Sequence, residues 1–211
     1  MTVWDNIYKD YEQGGQAWAT LSEDIDPLFR QFLEEASFSV KKALDIGCGT
    51  GKYLKLLQSL GFKTDGLDSS QTAVKMTKEL LGDQSDIQVA NMFELELPAN
   101  EYDLILSVST IHHGLKSQIE DLVRKIYQSL VSGGYIFITL PDFSSSKKWN
   151  TFKDHEQLAE ATFAPLTGPE KGLPHSFYEK PEIENLFSDF NDLQLNLDGI
   201  GRWFIRGGVK K

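Results

Sequence analysis

The stretch from Ala43 to Leu57, ALDIGCGTGKYLKLL, constrains this chain more than any other. An apolar run closes on an acid, Asp45. Glycines follow at alternate positions, Gly47, Gly49 and Gly51, and Tyr53, Leu54, Leu56, Leu57 and Leu60 then recur at helical spacing. The pattern reads as a buried strand, a tight turn and a helix. Glycine lets a ligand approach backbone that side chains would block. The turn also points the free N–H groups of the helix N-terminus at that ligand. Spacing separates the ligand classes. A dinucleotide turn needs G-x-G-x-x-G, but Lys52 stands at the position of its third glycine. A P-loop fails as well, because Tyr53 follows Lys52 and the four-residue gap is missing.

The D-x-G-x-G-x-G form resembles motif I of the class I S-adenosylmethionine (SAM)-dependent methyltransferases. Further segments agree. Lys63–Leu67 reads as a second strand ending at Asp68, 17 residues past Gly51. A carboxylate there can accept hydrogen bonds from both ribose hydroxyls of an adenosine. Ser69 and Ser70 suit a helix cap, and the helix carries Ala73, Val74, Met76, Leu80 and Leu81 to a stop at Gly82. Ile87–Ala90 is a short strand with Asn91, Met92 and Phe93 at its end, and Tyr102–Val108 is a fourth strand leading into STIHHG. The similarity runs in register over roughly residues 40 to 140.

The resemblance implies SAM as cofactor and S-adenosylhomocysteine as product. It implies contacts from Asp45, Gly47, Cys48 (through its backbone), Gly49, Gly51, Asp68, Ser69, Asn91, Met92 and Ser107. Asn91 stands where the family carries an acid to the adenine amino group; its amide oxygen can accept the same bond without charge. Met92 can pack on the adenine face. The family fold is an α/β, doubly wound, seven-stranded, mainly parallel Rossmann-like sheet with an antiparallel last strand.

The rest of the chain supplies elements for that fold. Asp26-Pro27 starts a helix with Leu28, Phe29, Phe32 and Leu33 inward. Ser117-Gln118-Ile119-Glu120 has capping-box form and precedes a stripe from Ile119 to Leu130, which Ser132-Gly133-Gly134 stops. Tyr135–Leu140 is a fifth strand, Glu179-Lys180-Pro181-Glu182 opens a late helix, and strands near 192–198 and 201–208 are close enough to form a hairpin. Strand–helix alternation argues for a parallel sheet. The whole chain, 1–211, is expected to be a single domain, with a helical N-terminal cap over 1–38 and a substrate lid over 141–178.

Composition narrows the partners. The formal charge is −10, poorly suited to a phosphate backbone, so nucleic acid is not the expected partner. No apolar run reaches the length of a membrane span, and MTVWDNIYKD is not a signal peptide. One cysteine excludes an internal disulfide framework and suggests a reducing compartment, the cytoplasm. Four histidines scattered along the sequence predict no metal site. The oligomeric state is open.

A sulfonium is already an activated leaving group, so alignment and exclusion of water are the main requirements, and a base is needed only for a protonated nucleophile. Candidate catalytic residues are His112 and His113, after the fourth strand, and His175 in the lid. Tyr8, Tyr11, Trp18, His175 and Tyr178 are candidate substrate contacts. The Asn/Asp-Pro-Pro-Tyr signature of amino-directed nucleic-acid enzymes is absent, with Ser107-Val108-Ser109-Thr110 in its place. A small-molecule methyltransferase is the first expectation. An RNA- or protein-directed methyltransferase is the alternative, followed by a nucleotide-dependent oxidoreductase and a catalytically silent SAM-binding module.

Overall fold

The computed structural model describes residues 2–15, 24–144 and 154–211. Its centre is a seven-stranded sheet of order β3-β2-β1-β4-β5-β10-β9. The strands are β1 (Lys42–Ile46), β2 (Lys63–Asp68), β3 (Asp86–Val89), β4 (Tyr102–Ser107), β5 (Leu130–Pro141), β9 (Asn191–Leu197) and β10 (Arg202–Gly208). The first five pair in parallel, and β10 runs antiparallel to both β5 and β9. This is the fold the resemblance implies, and the strand–helix alternation predicts its parallel part.

Side-chain alternation decides how the faces are covered. Ile105, Ile136 and Ile138 point toward α5 (Lys116–Ser129) and α6 (Lys180–Leu186). Leu104, Leu106 and Phe137 point the other way, toward α2 (Pro27–Glu35) and α3 (Lys52–Ser59). Every residue of β4 is buried, as a parallel strand covered on both faces requires. One polar exception has a structural role. Asp103 accepts bonds from the backbone N–H of Ser39 (3.1 Å) and Val40 (2.7 Å) and from the Ser39 hydroxyl (3.0 Å), fixing the chain where it enters β1.

Several helix starts follow their sequence signals. Asp26 caps α2 through the Leu28 N–H (2.9 Å), and Ser70 caps α4 (Gln71–Leu81) through the Ala73 N–H (3.1 Å). Two expectations need correction. The cap of α5 is Leu115, whose N–H donates to Gln118 Oε1 (2.9 Å), so Ser117 lies inside the helix. Ser132-Gly133-Gly134 does not end that helix. It lies within β5, which begins directly at Leu130, and Gly133 takes a positive φ of 83° there.

The segment expected to be a lid forms a second sheet of β6 (His155–Ala159), β7 (Thr162–Pro165) and β8 (His175–Ser176). It is stitched to the loop after β4. The Ser176 N–H donates to His112 O (2.9 Å), and the Ser176 hydroxyl donates to Gly114 O (2.7 Å). No described helix is long and apolar enough to cross a membrane.

Candidate functional site

Between the carboxyl ends of β1, β2 and β4 lies a cavity of about 440 Å³. That is the edge where open α/β sheets bind ligands. The glycine turn forms one wall. The N–H groups of Gly47 and Cys48 both donate to Leu67 O, at 2.8 and 2.9 Å, which pins the turn to the end of β2. Gly47 and Gly49 take positive φ of 80° and 54°. A Cβ at Gly47 would sit 2.1 Å from the Thr110 side chain, and one at Gly49 would sit 2.4 Å from the Tyr8 hydroxyl. Glycine is therefore required here both by backbone conformation and by space.

Asp68, at the end of β2, faces the cavity. Its oxygens accept the Gly49 N–H (3.0 Å) and the Ser70 N–H (2.8 Å). Burial raises its pKa, while those backbone bonds oppose the shift. Asp45 is buried on the same wall, and its pKa is pushed up to about 8, first by burial and then by the charge of Asp68. Further along, Asn91 caps a 3-10 turn over Met92–Glu94, accepting the Phe93 N–H (3.1 Å) and donating to Glu94 Oε1 (2.8 Å). Ser69, Asn91 and Met92 all line the cavity.

The roof comes from α1 (Val3–Glu12), docked on α4 by one buried acid. Asp5 accepts the Ser70 hydroxyl (3.1 Å), the Thr72 N–H (3.0 Å) and the Thr72 hydroxyl (3.0 Å), and pairs with Lys9 at 2.9 Å. The Thr72 N–H bond, then Lys9, hold its carboxyl well below the usual range. This docking puts Tyr8 over Gly49 and brings Trp4 edge-on to His113, with ring centroids 4.9 Å apart. Burial and the nearby carboxylates push the Tyr8 phenol well above its ordinary value.

Not every expected residue reaches the cavity. Ser107 is fully buried, and its hydroxyl donates to Ile46 O (2.7 Å), bracing β4 against β1. Gly51 is close-packed against Thr77, where a Cβ would meet the side chain at 2.8 Å. Tyr11 packs in the α1–α4 cluster with Ala73 and Met76. Tyr178 belongs to the main core, its ring under the Lys116 ammonium at 4.8 Å. Of the candidate histidines, only His113 lines the cavity, while His112 and His175 lie behind it. Trp18 falls outside the described residues.

The expectation that the histidines are scattered is wrong in space. His112, His113 and His175 can each present a ring nitrogen within 4.8 Å of the others, because β8 returns His175 to the loop after β4. Sequence reasoning also missed wall residues. Thr2, Phe93, Thr110, Gln118 and Pro174 line the cavity without having been expected there, and only their tertiary placement reveals them. Trp4 and Tyr8 stand four residues apart on α1, so helical spacing puts both on the face that meets the cavity, as expected for Tyr8.

The class of protein follows from this geometry: an α/β protein with a glycine-walled ligand cavity at the sheet's carboxyl edge. The sequence profile of the methyltransferase domain matches residues 44–138. An uncharacterised methyltransferase of Staphylococcus carnosus is 28% identical over 181 residues, covering 84% of this chain and 81% of that protein. The Bos taurus protein named "Probable tRNA methyltransferase 9B" is 29% identical over 134 residues, 63% of this chain but only 28% of its own length. The chain thus spans under a third of that longer relative. The Pyrococcus horikoshii PH0226 protein shares the fold with a TM-score of 0.76 and 16% identity, each chain being covered completely. Residues 44–138 thus resemble a methyltransferase domain, the relatives aligned with this chain are methyltransferases by name, and the fold is shared along the whole chain.

Proposed function

We propose that this protein binds SAM in the cavity and transfers its methyl group to a small-molecule nucleophile. The observation that supports the reading is that Gly47, Gly49, Asp68, Asn91 and Met92 line one cavity, with both glycines in tight turns that leave no room for a side chain. When bound, SAM supplies a methyl group on a sulfonium, whose departure leaves a neutral thioether. Asp68 receives the ribose hydroxyls on the lone pairs not used by Gly49 and Ser70. Asn91 accepts from the adenine amino group, with Met92 and Phe93 against the ring. Asp45 sits where a cationic amino group offsets its burial. Trp4, His113, Leu173 and Pro174 close the remaining end and exclude water from the transfer.

A cavity of this size is in the range of small-ligand sites. The charge of −10 disfavours a polyanionic acceptor. Similarity to the bovine relative keeps an RNA acceptor as the second reading. The test is direct. Calorimetry with SAM, S-adenosylhomocysteine and NAD identifies the cofactor, and release of S-adenosylhomocysteine is then followed with a low-molecular-mass metabolite fraction or with total tRNA. Turnover with tRNA alone would replace the small-molecule reading. Binding of NAD in place of SAM would replace the methyltransferase reading.

A further inference from the structure

We propose that His112, His113 and His175, with Glu170 beside His175, bind one divalent transition-metal ion of the zinc type, which clasps the inserted segment to the loop after β4. The three imidazoles come from two places more than sixty residues apart in sequence, yet their nearest ring nitrogens lie within 4.8 Å of one another. Tetrahedral zinc with bonds of about 2.0–2.1 Å needs donors about 3.4 Å apart. Small rotations of the rings close the difference.

The surroundings are those of ligands. All three histidines are buried. Nδ1 of His112 and Nδ1 of His113 have no hydrogen-bond partner, although burial makes an unsatisfied polar atom costly. His175 Nδ1 is 2.9 Å from Leu173 O; as an N–H donor there it directs Nε2 toward the cluster. Metal-bound histidines are oriented in this manner by a backbone carbonyl. His175 Nε2 lies 3.3 Å from Glu170 Oε2, about the length of one edge of a tetrahedron of zinc ligands.

The donor set selects the metal. Imidazole nitrogens with one carboxylate suit Zn²⁺, Co²⁺ or Ni²⁺, whereas Mg²⁺ and Ca²⁺ prefer all-oxygen sites. Three imidazoles from two distant segments fill most of a tetrahedron, so the ion holds those segments together. Leu173 and Pro174, just before His175, line the cavity, so the clasp sets its closed end. The inference does not depend on which cofactor the cavity takes.

The test uses the tag-free full chain, stripped with a chelator and titrated with Co²⁺ and then Zn²⁺. One equivalent is expected, with the visible absorption of tetrahedral Co²⁺, displacement by Zn²⁺ and a rise in Tm. His112→Gln and His175→Gln should each weaken Zn²⁺ at least about 100-fold and Glu170→Gln about 10–100-fold, since even outer-shell changes cost about that much. His155→Ala, the fourth histidine and exposed, should change nothing. Wild-type protein that takes up no stoichiometric metal, or that shows only octahedral Co²⁺, overturns the proposal whether or not the variants fold. So does metal binding retained in folded His175→Gln. Loss of SAM binding in any of these experiments would bear on the methyltransferase reading alone.

Discussion

Gly49→Ala tests the contact between the glycine turn and α1. Gly49 has φ of 54°, in the left-handed region, which costs an L-residue about 1–2 kcal/mol. A new Cβ would also lie 2.4 Å from the Tyr8 hydroxyl, a separation no real Cβ keeps. Tyr8 is buried between the turn and α4, so the repulsion must be relieved by moving α1 or the turn. Overpacking of this kind costs about 1–3 kcal/mol. The expected total is about 2–5 kcal/mol, which lowers Tm by roughly 4–20 °C at about 2–4 °C per kcal/mol for a domain of this size.

The two terms can be separated, because the next Tyr8 atom, Cζ, would be 3.5 Å from the new Cβ, an ordinary contact. Tyr8→Phe should therefore remove the steric term and leave the backbone term. A double-mutant cycle read by denaturant unfolding should show a favourable coupling of about 1–3 kcal/mol, within the span of contacting pairs. SAM affinity, measured by calorimetry on all four proteins, should recover in part with Tyr8→Phe. Additive effects, with Gly49→Ala equally harmful in both backgrounds, would mean that Tyr8 does not press on the turn.

Asp68→Asn should weaken SAM about tenfold or more by calorimetry, since a charge-assisted bond contributes about 1.5–3 kcal/mol; unchanged affinity in a folded protein would remove Asp68 from the site. Asp45 has its folded pKa raised to about 8 from an ordinary 3.8, so the folded state holds its proton more tightly. Stability of the free protein should therefore fall as pH rises from about 4 to 8 and should lose that slope in Asp45→Asn, checked by urea midpoints across pH. Binding of a cationic cofactor beside Asp45 should release a proton near pH 7, seen as calorimetric heats that vary with the buffer's ionisation enthalpy. Asp103→Ala should cost about 1–3 kcal/mol through the unpaired N–H groups of Ser39 and Val40, read as a shift in urea midpoint, with cofactor affinity of the folded protein kept.

The glycine-turn wall of the cavity was legible in sequence because it is built locally. Gly47, Gly49 and Asp68 each sit at the end of a strand, and the parallel sheet brings consecutive strand ends together whatever the loops do. Glycine spacing, strand pattern and caps are short-range signals, and the burial of β4 follows from an apolar run of its own length. Ser107 and Gly51 share those motifs but face Ile46 and Thr77, because the side-chain direction at a strand end is set by neighbouring strands and helices. The end of the cavity lined by Trp4 was not legible. Trp4 reaches it only because Asp5 anchors α1 to Ser70 and Thr72, far along the chain. The sequence by itself determined the fold class and the turn that receives a ligand, since both rest on periodicity and backbone conformation. Only tertiary structure decided that His175 comes back to His112 and His113, because that meeting depends on Ser176 hydrogen bonding across the fold to His112 and Gly114, a long-range pairing that no local pattern encodes.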